Sequence, residues 1–278
     1  MSSDHWPMPL SHRLFKFAQF AVNPAKRLVI FVHGYLGSAR KTWGGFAIEP
    51  PSDEWWRESD LVFAEYNWFG GSVASLADDL LRALEEHFPT VPGGWQTSKG
   101  SGPRRNPEEE YEELVLVGHS LGGLVIRYAM AIAARNATPG LASGLSPTSH
   151  PALKATVRLF SPAISGTRVG ENGERTDMPV LAELLHMALA PSVAYKDLKR
   201  SSPSIAYARD VTVEHAHLIG GSLFASILWA SPDRIVFDTP YVTDVAVSYW
   251  TGRSHSTVCK PARDYPVPYQ VVRWGKPL

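Results

Sequence analysis

The sequence predicts an α/β fold, a mostly parallel central sheet with helices on both faces. Three features of its 278 residues lead there. Runs such as "RLVIFVHG" (27–34) and "LVLVG" (114–118) are apolar at consecutive positions, the form of strands buried on both faces. Other segments repeat their apolar residues every three or four positions, the period of a helix packed on one side. The two kinds alternate along the chain, which is the order of βαβ units.

The elements follow in order. After the 27–34 strand, "DLVFAEYNW" (60–68) reads as a second strand. Residues 71–88 form an amphipathic helix, with Leu76, Leu80, Leu81, Leu84 and Phe88 on one face. The Pro-, Gly- and Ser-rich stretch 89–110 has no period and reads as a mobile surface loop. The third strand, 114–118, runs into "LGGLVIRYAMAIAAR", a helix apolar almost all round. A second loop spans 136–155, and "ATVRLFS" is a short strand. A partly helical insertion, 163–210, contains "PVLAELLHMALA" and reads as a cap or a core helix. "VEHAHLIGG" and "VAVSYW" read as the last two strands, and "LFASILWA" between them as an extra helix or part of a substrate wall. One domain, 1–278, accommodates all of this.

Composition sets outer bounds. Apolar residues make up 44% and charged residues 19%, enough for a large core. The 27 basic and 27 acidic side chains cancel, so no global field favours nucleic acid. A single cysteine, Cys259, excludes an intramolecular disulfide and a cysteine-based metal site. With no leader pattern and no apolar run of membrane-spanning length, a cytoplasmic protein is expected.

The stretch that carries chemistry is Gly118-His119-Ser120-Leu121-Gly122, a G-x-S-x-G pentapeptide. It follows a buried strand and opens a helix. In that setting the chain turns within about two residues and the serine is forced into a strained conformation. Side chains at 118 and 122 would collide with the neighbouring strand and helix. Ser120 then stands above the sheet, with a helix N-terminus behind it to favour negative charge. The alternative is a serine helix cap.

"FVHGYLGSARKTWGGF" followed by "LVLVGHSLGGLVIRY" resembles the α/β-hydrolase fold, and within it the serine esterase and lipase group. The resemblance covers about 27–262. It implies an oxyanion hole made by the backbone N–H groups of Tyr35 and Leu121, and a triad in the order serine, acid, histidine. Trp43 is read as packing.

A serine hydroxyl needs a base at neutral pH, and imidazole suits the task. Of the ten histidines, His215, His217 and His255 lie well beyond Ser120; His150 and His186 fall in a loop and in the cap. His215 and His217 stand inside an apparent strand. His255, after "VAVSYWTGRS", resembles the family's histidine segment and is preferred. For the acid, "PDRIV" resembles the family's pattern after the penultimate strand. Asp233 ranks first, Asp238 second and Asp244 third.

The resemblance implies a carboxylic-ester hydrolase working through an acyl-enzyme, without cofactor and without metal. The apolar stripe Leu181, Leu184 and Leu185 of the cap, together with His119, gives the candidate substrate contacts, and Trp55, Trp56, Trp68 and Phe69 are candidates for apolar wall, although aromatic residues in such numbers are mostly packing. A hydrophobic or lipid-like ester, met in transient contact with a membrane, is the expected partner. A lipase, phospholipase or thioesterase for long acyl chains is the alternative, and a hydrolase-like binding protein without turnover is another.

Overall fold

The computed structural model describes residues 7–21, 24–48, 51–67, 70–103, 106, 108–142, 150–168, 192–244 and 246–278. Ten strands are β1 (Met8–Pro9), β2 (Phe15–Gln19), β3 (Arg27–Val32), β4 (Ser59–Ala64), β5 (Gln96–Thr97), β6 (Gly100–Ser101), β7 (Glu113–His119), β8 (Thr156–Phe160), β9 (Ala225–Ser231) and β10 (Ala246–Thr251). The helices used below are α1 (Ala39–Ile48), α2 (Glu54–Arg57), α3 (Val73–His87), α4 (Leu121–Ala142), α5 (Val193–Asp197), α6 (Pro203–Ile219) and α7 (Val267–Trp274).

Eight strands make one sheet in the order β1-β2-β4-β3-β7-β8-β9-β10. From β4 to β10 the neighbours run parallel, while β2 and β1 are added antiparallel at one edge. The consecutive apolar residues of β3 and β7 divide between two cores. Leu28, Ile30, Val32, Leu114 and Leu116 join α3, α4 and α6 on one face. Val29, Phe31, Val115 and Val117 join α1, α2 and α7 on the other. A strand with both faces covered has no polar side to offer, which is why these runs do not alternate. Trp43 and Trp56 are buried in the second core, Trp43 against Phe31 at 5.2 Å between ring centroids. Trp68 and Phe69 lie outside the described residues.

Sequence reading and structure part at several places. "VEHAHLIGG" is the end of α6, not a strand. Its buried residues Ile205, Ala208, Val211, Thr212 and His215 follow the helical period, visible only when the window reaches back to 205. "LFASILWA" supplies β9, buried along nearly its whole length between β8 and β10. The 89–110 stretch carries the β5–β6 hairpin and is tied down by buried Val91 and Trp95, whose indole donates to Tyr111 at 3.1 Å. Helix α4 runs on to Ala142, into what reads as loop. The short antiparallel edge strands and α7 were not anticipated. Of the 163–210 insertion, 169–191 lie outside the described residues; α5 follows, and Pro203 begins α6, which packs along α4 with Tyr207 against Tyr128 at 4.8 Å. Among the described residues no helix is long and apolar enough to cross a membrane.

The strand following β3 in the chain lies on one side of it and β7 on the other. In open α/β sheets such a reversal of direction marks the carboxyl ends of the two strands, here β3 and β7, as the place where ligands bind. His33-Gly34 and Ser120 both stand there.

Candidate active site

Ser120 adopts φ 53°, a left-handed backbone that an L-residue seldom takes. The glycines around it explain how the bend is possible. A Cβ on Gly122 would lie 2.2 Å from the Val32 carbonyl oxygen, and one on Gly118 would lie 2.8 Å from Gly123 Cα. One on Gly34 would come within 2.8 Å of Ser120 Cβ. The elbow therefore fits against β3 only if these side chains are missing. The Ser120 N–H donates to the Phe160 carbonyl at 3.2 Å, and its own carbonyl accepts from Ala163 N–H at 3.0 Å.

The loop after β3 is held from below. His33 is fully buried and stacks on Tyr66, 4.3 Å between centroids at 10°. Its Nδ1 donates to the Gly34 carbonyl at 2.8 Å and its Nε2 faces the Tyr66 N–H at 3.5 Å, both consistent with one neutral tautomer. Burial pushes its pKa down in the same sense. The Tyr66 hydroxyl donates to the His33 carbonyl, and Glu65 accepts from Ala39 N–H at 3.1 Å. This fixes the path through Tyr35 and Leu36, the latter at φ 58°. Leu121, fully buried, opens α4, where first-turn N–H groups have no partner within the helix. The Tyr35 ring lies against Tyr195 of α5, 6.0 Å between centroids.

His255 follows β10, and its Nδ1 lies 2.9 Å from Asp233 Oδ2. Asp233 follows β9. Its other oxygen accepts from the N–H groups of Ile235 at 2.9 Å and Val236 at 3.1 Å. Burial alone would raise the Asp233 pKa. The His255 ring, the Ile235 N–H and the Ser161 hydroxyl outweigh burial and hold it below the usual carboxylate range. The other two aspartates stand elsewhere. Asp238 pairs with Arg168 at 3.3 Å on the surface. Asp244 is buried with Arg127 and accepts from the N–H groups of Ala225 at 3.0 Å and Tyr241 at 3.2 Å.

His119 links the halves. Its Nε2 donates to the His255 carbonyl at 2.8 Å, and the two rings lie 4.9 Å apart. The residue next to Ser120 thus carries the His255 loop. Burial, and then the neighbouring His255, push the His119 pKa down to about 3. The residue is 7% exposed and its Nε2 is taken by this loop. Leu181, Leu184 and Leu185 lie outside the described residues. His215 is buried in α6, bonded to the Val211 carbonyl. His150 caps the turn before β8, accepting from Ala152 N–H at 3.0 Å.

Among the described residues one three-residue cluster has the proximity of a metal site: ligand atoms of His12, Glu86 and His87 lie within 4.8 Å of one another. Sequence spacing gave no hint of it. His12 Nδ1 accepts from the N–H groups of Leu14 at 3.1 Å and Phe15 at 2.9 Å, so the neutral ring carries its proton on Nε2, the atom that faces Glu86. A proton there leaves no lone pair for a metal. The arrangement serves as a cap on β2 and the end of α3.

Two residues at this corner escaped the sequence reading. Tyr66 is an ordinary aromatic at a strand end. Ser161 precedes a proline, which marks the end of a strand but says nothing of a hydroxyl that accepts from Ala230 N–H at 3.0 Å.

No family model matches the chain, and no curated protein matches it by sequence. Solved structures do resemble it. A lipase of Bacillus licheniformis, in its propeptide form, matches 92% of this chain at 16% identity with a TM-score of 0.54. The chain spans about half of that lipase, 53%. Est1E from Butyrivibrio proteoclasticus matches at 12% identity over 97% of each chain, TM-score 0.49. The monoacylglycerol lipase of Paleococcus ferrophilus matches at 15% identity over 95% of this chain and 98% of its own, TM-score 0.47. With the sheet order and the elbow after its third parallel-core strand, the backbone likeness to the first of these gives the architecture its name: the chain has an α/β-hydrolase fold.

Proposed function

We propose that the protein is a serine hydrolase of carboxylic esters, with Ser120 as nucleophile, His255 as base and Asp233 as the acid that orients it. The observation that carries this reading is the 2.9 Å contact between His255 Nδ1 and Asp233 Oδ2, made by a loop that rests on the residue beside Ser120. Nδ1–H donating to the carboxylate leaves Nε2 as the proton acceptor. In the reaction, Ser120 Oγ bonds to the ester carbonyl carbon while its proton passes to His255 Nε2. The backbone N–H groups of Tyr35 and Leu121 take the oxyanion, each donor contributing about 3 kcal/mol. His255 then gives the proton to the leaving alcohol. Water, deprotonated by the same ring, releases the acid and restores the serine.

A hydrophobic acyl or alcohol group suits the surroundings. Leu36, Val193 and Ile235 are exposed at 44%, 42% and 40%, and each stands within two residues of Tyr35, Ser192 or Asp233. Rates on p-nitrophenyl esters of rising chain length separate a short-chain esterase from a lipase or thioesterase. The test of the reading itself is a fluorophosphonate probe. The wild-type chain should take one adduct on Ser120 and S120A none. A folded wild-type chain that takes no adduct would leave a binding protein as the better description.

A further inference from the structure

We propose that Arg168 and Arg200, both stacked on Phe237 at the edge of the acid loop, bind a phosphate group carried by the ester. The inference rests on the ester-hydrolase reading above and narrows its substrate class to amphiphiles with an apolar chain and a phosphate. Three stretches of chain build the patch. The first is the turn after Asp233, residues 235–238. The second, 165–168, lies antiparallel beside it: Arg168 N–H donates to the Ile235 carbonyl at 2.8 Å and Phe237 N–H to the Gly166 carbonyl at 3.1 Å. The third follows α5 and is joined by Thr167 N–H, which donates to the Leu198 carbonyl at 3.0 Å. Gly166, at φ 93°, lets the last two touch; a Cβ there would lie 2.6 Å from Arg200 Cα.

This packing sets two guanidinium groups on one ring. The Arg168 Cζ is 4.5 Å from the Phe237 centroid and the Arg200 Cζ 4.6 Å. Like charges gathered on one ring repel unless an anion joins them. Asp238 answers for one only, at 3.3 Å from Arg168. Asp197, the acid nearest to Arg200 in the chain, is engaged elsewhere, accepting from Val73 N–H and from the Ser204 hydroxyl, both at 2.8 Å. Among the described residues the Arg200 guanidinium has no ion pair and no hydrogen bond. Stacking uses the face of the group and leaves the N–H donors in its plane free. Arg200 is exposed and keeps all five, whereas Arg168 spends Nε on the Val236 carbonyl at 3.2 Å and Nη2 on Asp238. A phosphate has oxygens enough for two such forks, and a carboxylate fills one.

The patch is braced to both ends of the triad and shares no side chain with it. Ile235, whose carbonyl holds Arg168, donates through its own N–H to Asp233 at 2.9 Å. Along the second stretch, Gly166 N–H donates to the Ala163 carbonyl at 3.2 Å, and Ala163 N–H to the Ser120 carbonyl at 3.0 Å. Ile235 on the first stretch and Val193 on α5 are exposed, an apolar surface for the chain of an amphiphile.

The test compares two esters that differ only in the anion, monooctanoylglycerol and its phosphate monoester, with the full chain at low salt. Wild type should prefer the phosphate ester in kcat/KM by about fivefold, through KM, the size of a pair of exposed ionic contacts. R200Q changes an exposed side chain and should keep the thermal midpoint, while the preference shrinks about threefold. R200K, a charge without the planar fork, should restore only part of it. About 1 M salt, where the screening length is about 3 Å, should shrink it in wild type as well. Equal kcat/KM for the two esters in wild type, or a preference unmoved in R200Q, would overturn the site. Should R200Q lose binding to vesicles of anionic lipid while its preference between the soluble esters stands, the patch is a membrane contact and the proposal fails. If wild type hydrolyses neither ester, fluorophosphonate capture tells whether the ester-hydrolase reading stands, and titration with inorganic phosphate decides for the patch. A saturable shift of the Arg200 Nε–H signal in nitrogen–proton spectra supports it, and no shift overturns it.

Discussion

The two halves of the candidate site are held in different ways. The nucleophile half, residues 33–34 and 118–123, is fixed by close approach of backbone to backbone, where a single Cβ at 34, 118 or 122 would be too much. The relay half, Asp233 and His255, is fixed by hydrogen bonds between loops that leave two different strands. Sterics of the first kind are written into consecutive residues. Contacts of the second kind exist only when the sheet has brought distant ends together. The nucleophile half should therefore fail by misfolding, and the relay half by losing rate while the fold survives.

The largest expected effect tests the relay. Asp233→Asn should keep the fold, since the N–H groups of Ile235 and Val236 can still donate to the amide oxygen. The wrong imidazole tautomer should lower ester hydrolysis by about a thousandfold to ten-thousandfold. Single-turnover kinetics beside a thermal melt measure both sides. A rate within tenfold of wild type would mean that the acid is elsewhere and that the two halves are not organised as described.

Next in size is an aspartate that holds structure alone. Asp244→Ala would leave Arg127 buried and unpaired between α4 and the Leu223 carbonyl, beneath the Tyr241 ring at 5.1 Å. Breaking such a pair costs about 3 to 5 kcal/mol. Urea denaturation should show that loss, while the fluorophosphonate rate of the remaining folded molecules stays unchanged. A matching fall in rate would make the ion pair part of the relay.

How much of this was legible follows the same division. Residues 114–122 could be read completely, because strand, bend, glycines and helix are contiguous and each requires the next. His33-Gly34 could be placed by its strand end. In the acid region the element assignments went astray: "LFASILWA" is a short apolar run without clean alternation, a pattern that a buried strand shares with a buried helix segment, and "VEHAHLI" alternates by coincidence on a helix. Asp233 was nonetheless ranked first on a local pattern, and the structure brings that aspartate to His255. Ser161 and Tyr66 were illegible, since their partners lie on other strands. The tautomer of His12, which argues against a metal there, depends on two N–H groups and could not be inferred from spacing.

His119 belongs to both halves and predicts a smaller, pH-dependent effect. Its ring stays neutral in the fold, its pKa held down to about 3 by burial and then by His255, whereas a free imidazole protonates near 6.5. Between those values the unfolded chain binds the extra proton. Stability should fall as pH drops below about 6.5, by about 1.4 kcal/mol per pH unit for this residue. Burial lowers the His33 pKa too and adds in the same direction. Asp233 acts later: its folded pKa is lowered, so its contribution is present above about 3.9 and lost only below. Denaturation curves from pH 7 to 4 should steepen accordingly, and H119Q, which can still donate to the His255 carbonyl, should reduce the slope by about one proton. An unchanged slope would place the missing protons on other groups.

The smallest effect is expected where an aspartate of the same loop has neither role. Asp238 and Arg168 form a pair at 3.3 Å, with side chains 41% and 32% exposed, so water and salt screen it. D238N should change stability by less than about 1 kcal/mol and leave hydrolysis unaltered. Five positions separate it from Asp233, and both are aspartates after one strand. What distinguishes them is that the N–H groups of Ile235 and Val236 point at the first and close a turn around it, which aims the remaining oxygen at His255. A loss of rate in D238N comparable with that in D233N would show that charge in the loop, and not this orientation, is what the imidazole requires.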